Sequence, residues 1–150
     1  MRVSLRDDIA KEVGVALKAG QKEKLSTLRM LLSAVKYKEI DQKRPLNDEE
    51  VQQVVGTLIR QRYDSIEQFR KGGRIDLVEK EEGEVAVLKA YLPPQLSIEE
   101  LRELIKKIAA EVGATEQKDM GKLMKAVMPH VKGKADGKAV NDAVKEVLGG

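Results

Sequence analysis

Tyr91-Leu92-Pro93-Pro94-Gln95-Leu96-Ser97-Ile98-Glu99-Glu100-Leu101 is the stretch at which this chain divides. Neither proline can continue a helix, and each biases the residue before it away from helical geometry. Just beyond them, Ser97 and Glu100 stand at the spacing of a capping box, and Leu96 and Leu101 are placed to staple across it. One helix therefore stops before Pro93 and another starts at Ser97. The break predicts two helical parts, residues 1–93 and residues 94–150.

Upstream of the break the helical period recurs four times. Ser4 and Asp7 form a start signal, and Gly20 is placed to end that first helix in a left-handed conformation. Leu25, Leu28, Leu31, Leu32 and Val35 then fall three and four apart, giving one apolar stripe that runs out before Pro45. Asn47 and Glu50 predict the next start, with Leu46 stapling to Val51, and Gly72-Gly73 stops that helix. A fourth helix carries Ile75, Val78, Val85 and Leu88. Gly83 inside it costs about 1 kcal/mol against Ala, so a close approach or a bend is expected there. Downstream, Leu101, Leu104, Ile105, Ile108 and Val112 form one helix closed by Gly113. Met120, Leu123, Met124, Val127 and Met128 form another, and the last starts near Asp136. The expectation is an all-α protein, with a four-helix N-terminal domain followed by a small three-helix C-terminal domain.

Composition agrees with helices. Aromatic residues make up 3% of the chain and Trp is absent, so the core must be built from Leu, Val, Ile, Met and Ala. That set suits helix packing better than a β-sandwich. Cys is absent, which excludes disulfides, thiol chemistry and Cys-type zinc sites. No apolar run approaches the roughly 20 residues that span a bilayer, and no membrane partner is expected. Residues 1–8 lack the apolar stretch of a signal peptide, so a cytoplasmic location is expected.

Catalytic patterns do not assemble. His130 is the only histidine, so neither a Ser-His-Asp triad nor a multi-histidine metal site follows its usual pattern. It reads as a surface residue at a helix end. Glu79, Glu81, Glu82 and Glu84 read as a solvated face, since nothing sets two of them apart as a carboxylate pair. Lys132-Gly133-Lys134-Ala135-Asp136-Gly137-Lys138-Ala139 has a superficial likeness to a phosphate-binding loop. However, its spacing is one residue short, it lacks the Ser/Thr, and it follows a helix rather than a strand. Nucleotide hydrolysis is rejected, no cofactor is called for, and no catalytic residue is named.

A binding reading survives in the same region. Lys118, Lys122, Lys125, Lys132, Lys134 and Lys138 are opposed only by Asp119 and Asp136. Lys118, Lys122 and Lys125 fall four and three apart, which predicts one helix face. Gly133 and Gly137 lead into a helix N-terminus, where N–H groups and the helix dipole favour an anion. Together these residues form a candidate surface for a phosphate backbone. The competing reading is a solvated helix hairpin with an ordinary glycine turn. A second candidate surface is Arg60, Arg62, Arg70, Lys71 and Arg74, for which solvated helix ends are the simpler explanation. Tyr37, Tyr63, Phe69 and Tyr91 are expected in or beside the core. With so few aromatics, RNA would be read through its backbone and shape rather than by stacking on splayed bases.

At these residues the chain resembles the YqeY family, also called GatB/YqeY domain proteins. The resemblance is carried by Leu25-Ser26-Thr27-Leu28-Arg29-Met30-Leu31-Leu32-Ser33-Ala34, Lys38-Glu39-Ile40-Asp41, Gln61-Arg62, Ser65-Ile66-Glu67 and Tyr91-Leu92-Pro93. In the C-terminal part it is carried by Asp119-Met120-Gly121-Lys122, Met128-Pro129 and the Lys132–Lys138 stretch. It implies a four-helix domain followed by a three-helix domain. It also implies likeness of the second domain to the tail of the B subunit of the glutamyl/aspartyl-tRNA amidotransferase, a tail implicated in holding tRNA. Met128, Lys132, Gly133, Ala135 and Val140 match positions typical of that tail, whereas Pro129 and Gly137 depart from it. The resemblance implies a non-catalytic RNA-binding accessory protein with tRNA as its partner. A protein-interaction adaptor docking on an aminoacyl-tRNA synthetase or an amidotransferase, through a surface around Met120, Met124 and Met128, is the alternative. Carbon–nitrogen ligase chemistry with glutamine as amide donor is a remote third. The amidase and ATP–magnesium sites it requires lie outside the tail, and catalysis does not transfer with a binding module.

Overall fold

The computed structural model describes residues 4–149. The expectation that rests on Met1, Arg2 and Val3 lies outside them. Among the described residues the chain is all-α, with seven α-helices, one short 3-10 turn and no strand. It forms two compact units, one ending at Leu92 and one beginning at Pro93.

The first unit contains α1 (Leu5–Lys18), α2 (Lys22–Gln42), α3 (Asp48–Lys71) and α4 (Ile75–Lys89). Ser4 caps α1, its Oγ accepting the Asp7 N–H at 3.1 Å. The Leu5 N–H, an orphan of the first turn, donates to Asp48 Oδ1 at 2.9 Å, which ties α1 to the start of α3. Glu39 adds a second tie. Its carboxylate accepts from Arg6 Nε at 2.9 Å and from the Leu46 N–H at 3.0 Å. Asn47 and Glu50 complete a reciprocal capping box on α3. Arg44 grips Glu50 with both guanidinium nitrogens, at 2.8 and 2.7 Å. The Arg44 hydrogen bond, with the Asn47 N–H behind it, lowers the Glu50 pKa to about 2.

The core of this unit includes Ile9, Leu31, Val35, Val51, Val55, Ile59, Ile66, Val78, Val85 and Leu88, all buried. Burying each of the larger side chains contributes roughly 1.5–3 kcal/mol before entropy is counted. Phe69 and Tyr91 pack against this core half-buried, as expected. Three expectations are corrected. Tyr37 is 78% exposed, because it stands two residues past Val35, on the opposite side of α2 from the buried stripe. Tyr63 follows the buried Arg62 and is exposed. Ile75, carried by α4 as its first residue as expected, is exposed. A Cβ built on Gly83 meets nothing within 4 Å, so no close approach occurs there. Gly83 instead borders a cleft of about 370 Å³ between the start of α2 and the middle of α4.

The second unit contains α5 (Ile98–Val112), a 3-10 turn (Gln117–Asp119), α6 (Met120–Val131) and α7 (Gly137–Val147). The Ser97–Glu100 capping box is formed, and Gly113 ends α5 at φ +72°, a conformation that costs glycine little. Leu101, Ile105, Ile108, Leu123, Val127, Val131, Val140 and Val144 make up its buried interior. Gln117 closes the far end, its Nε2 donating to the Lys145 and Leu148 carbonyls at 3.3 and 3.2 Å.

Candidate functional site

All six lysines of the candidate surface are exposed: Lys118, Lys122, Lys125, Lys132, Lys134 and Lys138. The three expected on one helix face are not all on one helix. Lys118 sits in the 3-10 turn, and only Lys122 and Lys125 are carried by α6. The cause is Asp119, whose Oδ2 accepts the Thr115 and Glu116 N–H groups at 3.0 and 3.1 Å. That clamp tightens the chain just before α6 begins. The two N–H donors hold the Asp119 pKa below its ordinary value, with smaller help from Lys118 and Lys122. Lys118 also pairs with Glu116 at 3.0 Å.

The Lys132–Lys134 segment is a locked turn. The Val131 carbonyl accepts from the Lys134 and Ala135 N–H groups at 2.8 and 3.2 Å. Gly133 stands at φ +77°, where an L side chain is strained, and its carbonyl accepts Gln95 Nε2 at 2.8 Å. The Lys134 carbonyl accepts the Leu96 N–H at 2.8 Å. The turn thus pins the segment that follows Pro93, and Gly133 has a structural task there. Its peptide carbonyls are occupied from within the unit, while the side chains of Lys132 and Lys134 point to solvent. Pro129 lies inside α6 and has no N–H to return to the Lys125 carbonyl, and the helix ends two residues later at Val131. His130 is exposed in that last turn.

Asp136 precedes α7 but makes no side-chain hydrogen bond to its first turn, unlike Asn47 and Ser97 at their helices. Gly137 and Lys138 occupy that first turn and are exposed. The result is a hydrogen-bonded turn bearing exposed lysines, followed by a helix N-terminus whose cap residue makes no side-chain hydrogen bond.

The second candidate surface does not assemble. Arg62 is buried, because it falls on the stripe of Val55, Ile59 and Ile66. Its Nε donates to Glu84 at 3.1 Å, one terminal nitrogen to the Leu58 carbonyl at 2.9 Å, and the other to Met30 Sδ at 2.8 Å. Arg70, Lys71 and Arg74 are neutralised by Glu82, Glu67 and Asp76 at 3.3, 3.5 and 3.1 Å. No group of three or more His, Cys, Asp and Glu residues that could hold a metal occurs among the described residues. No helix among them is long and apolar enough to cross a membrane.

These features define a class: a small helical protein of two units with a lysine-bearing turn and helix face at its C-terminal end. The family model described as Yqey-like protein matches residues 6–148, and the chain belongs to the YqeY family. A protein from Schizosaccharomyces pombe is 37% identical over 94 residues, covering 63% of this chain and 76% of its own length. The protein named altered inheritance of mitochondria protein 41, mitochondrial, of Lachancea thermotolerans is 42% identical over 86 residues, 57% of this chain and 46% of that protein. Its Saccharomyces cerevisiae namesake is 31% identical over 146 residues, 97% of this chain and 66% of that protein. The match thus spans about half to three quarters of the length of the mitochondrial relatives. Their names correct the expectation of a cytoplasmic location, which rested only on the missing signal-peptide pattern in residues 1–8.

Proposed function

We propose that this protein is a non-catalytic RNA-binding accessory factor that holds tRNA through its C-terminal unit. The four helices before Pro93 and the three after it would act as separate domains, divided at 93/94, with the second one binding. The observation that carries this reading is the exposure of all six lysines, two of which, Lys132 and Lys134, stand on a turn whose backbone is already fixed by internal hydrogen bonds. Fixed carbonyls and exposed lysine side chains support a surface that attracts phosphates with little backbone reorganisation. The names of the relatives point to a mitochondrial setting. An aminoacyl-tRNA synthetase or amidotransferase would be the machinery such a factor serves. Met128, 40% exposed on α6, favours a second reading in which the same unit docks on a protein of that machinery.

The test is binding of the purified protein to total tRNA across a salt series. We expect affinity to fall steeply with salt. Replacing both Lys132 and Lys134 with Ala should reduce the logarithmic salt slope by about 1.4–1.8, at roughly 0.7–0.9 per lost phosphate contact. An unchanged slope and affinity in that variant would remove these lysines from the interface. Absence of binding at low salt would leave the protein-docking reading.

A further inference from the structure

We infer that the outer face of α2, centred on Tyr37 and Ile40, is a docking surface for an acidic amphipathic helix of a partner protein. The inference concerns the first unit and does not rest on RNA binding by the second. Tyr37 and Ile40 are 78% and 77% exposed, the two most exposed large hydrophobic residues described. They stand three apart on a helix, so their side chains are neighbours on one face. The buried stripe of α2, Leu28, Leu31 and Val35, is already satisfied by the core, so this second apolar spot does nothing for the fold of its own unit.

Charge selects the occupant. Arg29 and Lys36 stand seven apart on α2, about 10 Å along the axis, and so line one flank of the pair. Both are exposed, and neither has an ion-pair partner among the described residues. An apolar centre with a basic flank at heptad spacing matches a helix that presents apolar residues at a and d and acids beside them. An RNA strand would satisfy the cations and could stack on Tyr37, but it offers nothing to the aliphatic Ile40. A second copy of this chain brings the same basic flank with a single nearby acid, Asp41, and is the poorer match.

The experiment titrates the isotope-labelled full chain with three probes and maps resonance shifts. The first is a synthetic amphipathic peptide of about 20 residues with Leu at a and d and Glu on the flanks. The second is the same peptide with Lys for Glu, and the third is an oligouridine. Sedimentation of the chain alone reports self-association. We expect the Glu peptide alone to bind, to shift α2 resonances around Tyr37 and Ile40, and to weaken with salt. The variant Tyr37→Ala/Ile40→Ala should weaken it about tenfold or more. The variant Arg29→Glu/Lys36→Glu should switch preference to the Lys peptide. Both variants alter exposed side chains only, and retained helical circular dichroism and melting temperature would confirm that they fold. The inference is overturned if the Glu peptide does not bind, or binds away from α2. It is equally overturned if the oligouridine occupies this face, or if a dimer forms that Tyr37→Ala/Ile40→Ala abolishes.

Discussion

Arg62 shows how much one position on a helix decides. A guanidinium at 8% exposure is tolerated because each of its nitrogens has an acceptor: Glu84, the Leu58 carbonyl and Met30 Sδ. Removing it would leave the Glu84 carboxylate beside the core with no counter-charge. Breaking a buried pair costs about 3–5 kcal/mol, and Glu84 keeps some solvent, so we expect Arg62→Ala to destabilise the first unit by about 2–4 kcal/mol in urea unfolding. Arg62→Lys should recover little, because one ammonium cannot reach three partners in the guanidinium geometry. A loss below about 0.5 kcal/mol, the size of an ordinary surface change, would mean that the pair is solvated in solution. The burial of Arg62 was legible in the sequence, and residue type concealed it. Val55, Ile59, Arg62 and Ile66 share one phase, just as Val35 and Tyr37 do not. Sorting arginine to the surface and tyrosine to the core by type put both on the wrong side, whereas counting around the helix puts both where they lie.

The seven helices follow from local signals that need no tertiary information. Asn47 with Glu50 and Ser97 with Glu100 close as capping boxes, and Gly20, Gly73 and Gly113 all take the positive φ that ends or redirects a helix. Gly83 breaks this economy. It sits in the interior of α4 with open space where a Cβ would be, so no close contact explains it. Gly83→Ala should therefore stabilise the protein by about 0.5–1 kcal/mol, visible as a higher melting temperature. A fall in stability would show that the cleft beside it closes in solution. The candidate site was legible only in part at this scale. The lysine positions and the glycine turn are visible in the sequence, but the shift of Lys118 off α6 is not. It depends on the Asp119 carboxylate folding back onto two N–H groups, a local alternative to continuing the helix that spacing alone does not report. The binding of Leu96 and Gln95 by the Gly133–Lys134 turn was equally invisible, because those partners stand 38 residues apart in the chain.

At the scale of the molecule, the two buried clusters have no residue in common. Each is built from helices adjacent in sequence, which favours contacts of short range within each unit and fast folding of each. If the units are thermodynamically separate, a cavity in one should leave the other intact. Leu31 and Leu123 are both fully buried, one in each cluster. Leu31→Ala and Leu123→Ala should each cost about 2–5 kcal/mol, the range for truncating a buried leucine. Amide hydrogen exchange assigns that cost by location. We expect Leu123→Ala to speed exchange in α5, α6 and α7 while the protected amides of α3 keep their rates, and Leu31→Ala to do the reverse. Exchange that rises across both units in either variant would make the chain one cooperative body. The result bears directly on the proposed RNA binding. With separate units, Leu31→Ala should leave the tRNA salt slope untouched, because a surface fixed by the Gly133 turn and Asp119 draws its rigidity from the second unit alone. With one cooperative body, any loosening of the first unit would carry through to the lysines, and the slope would change with it.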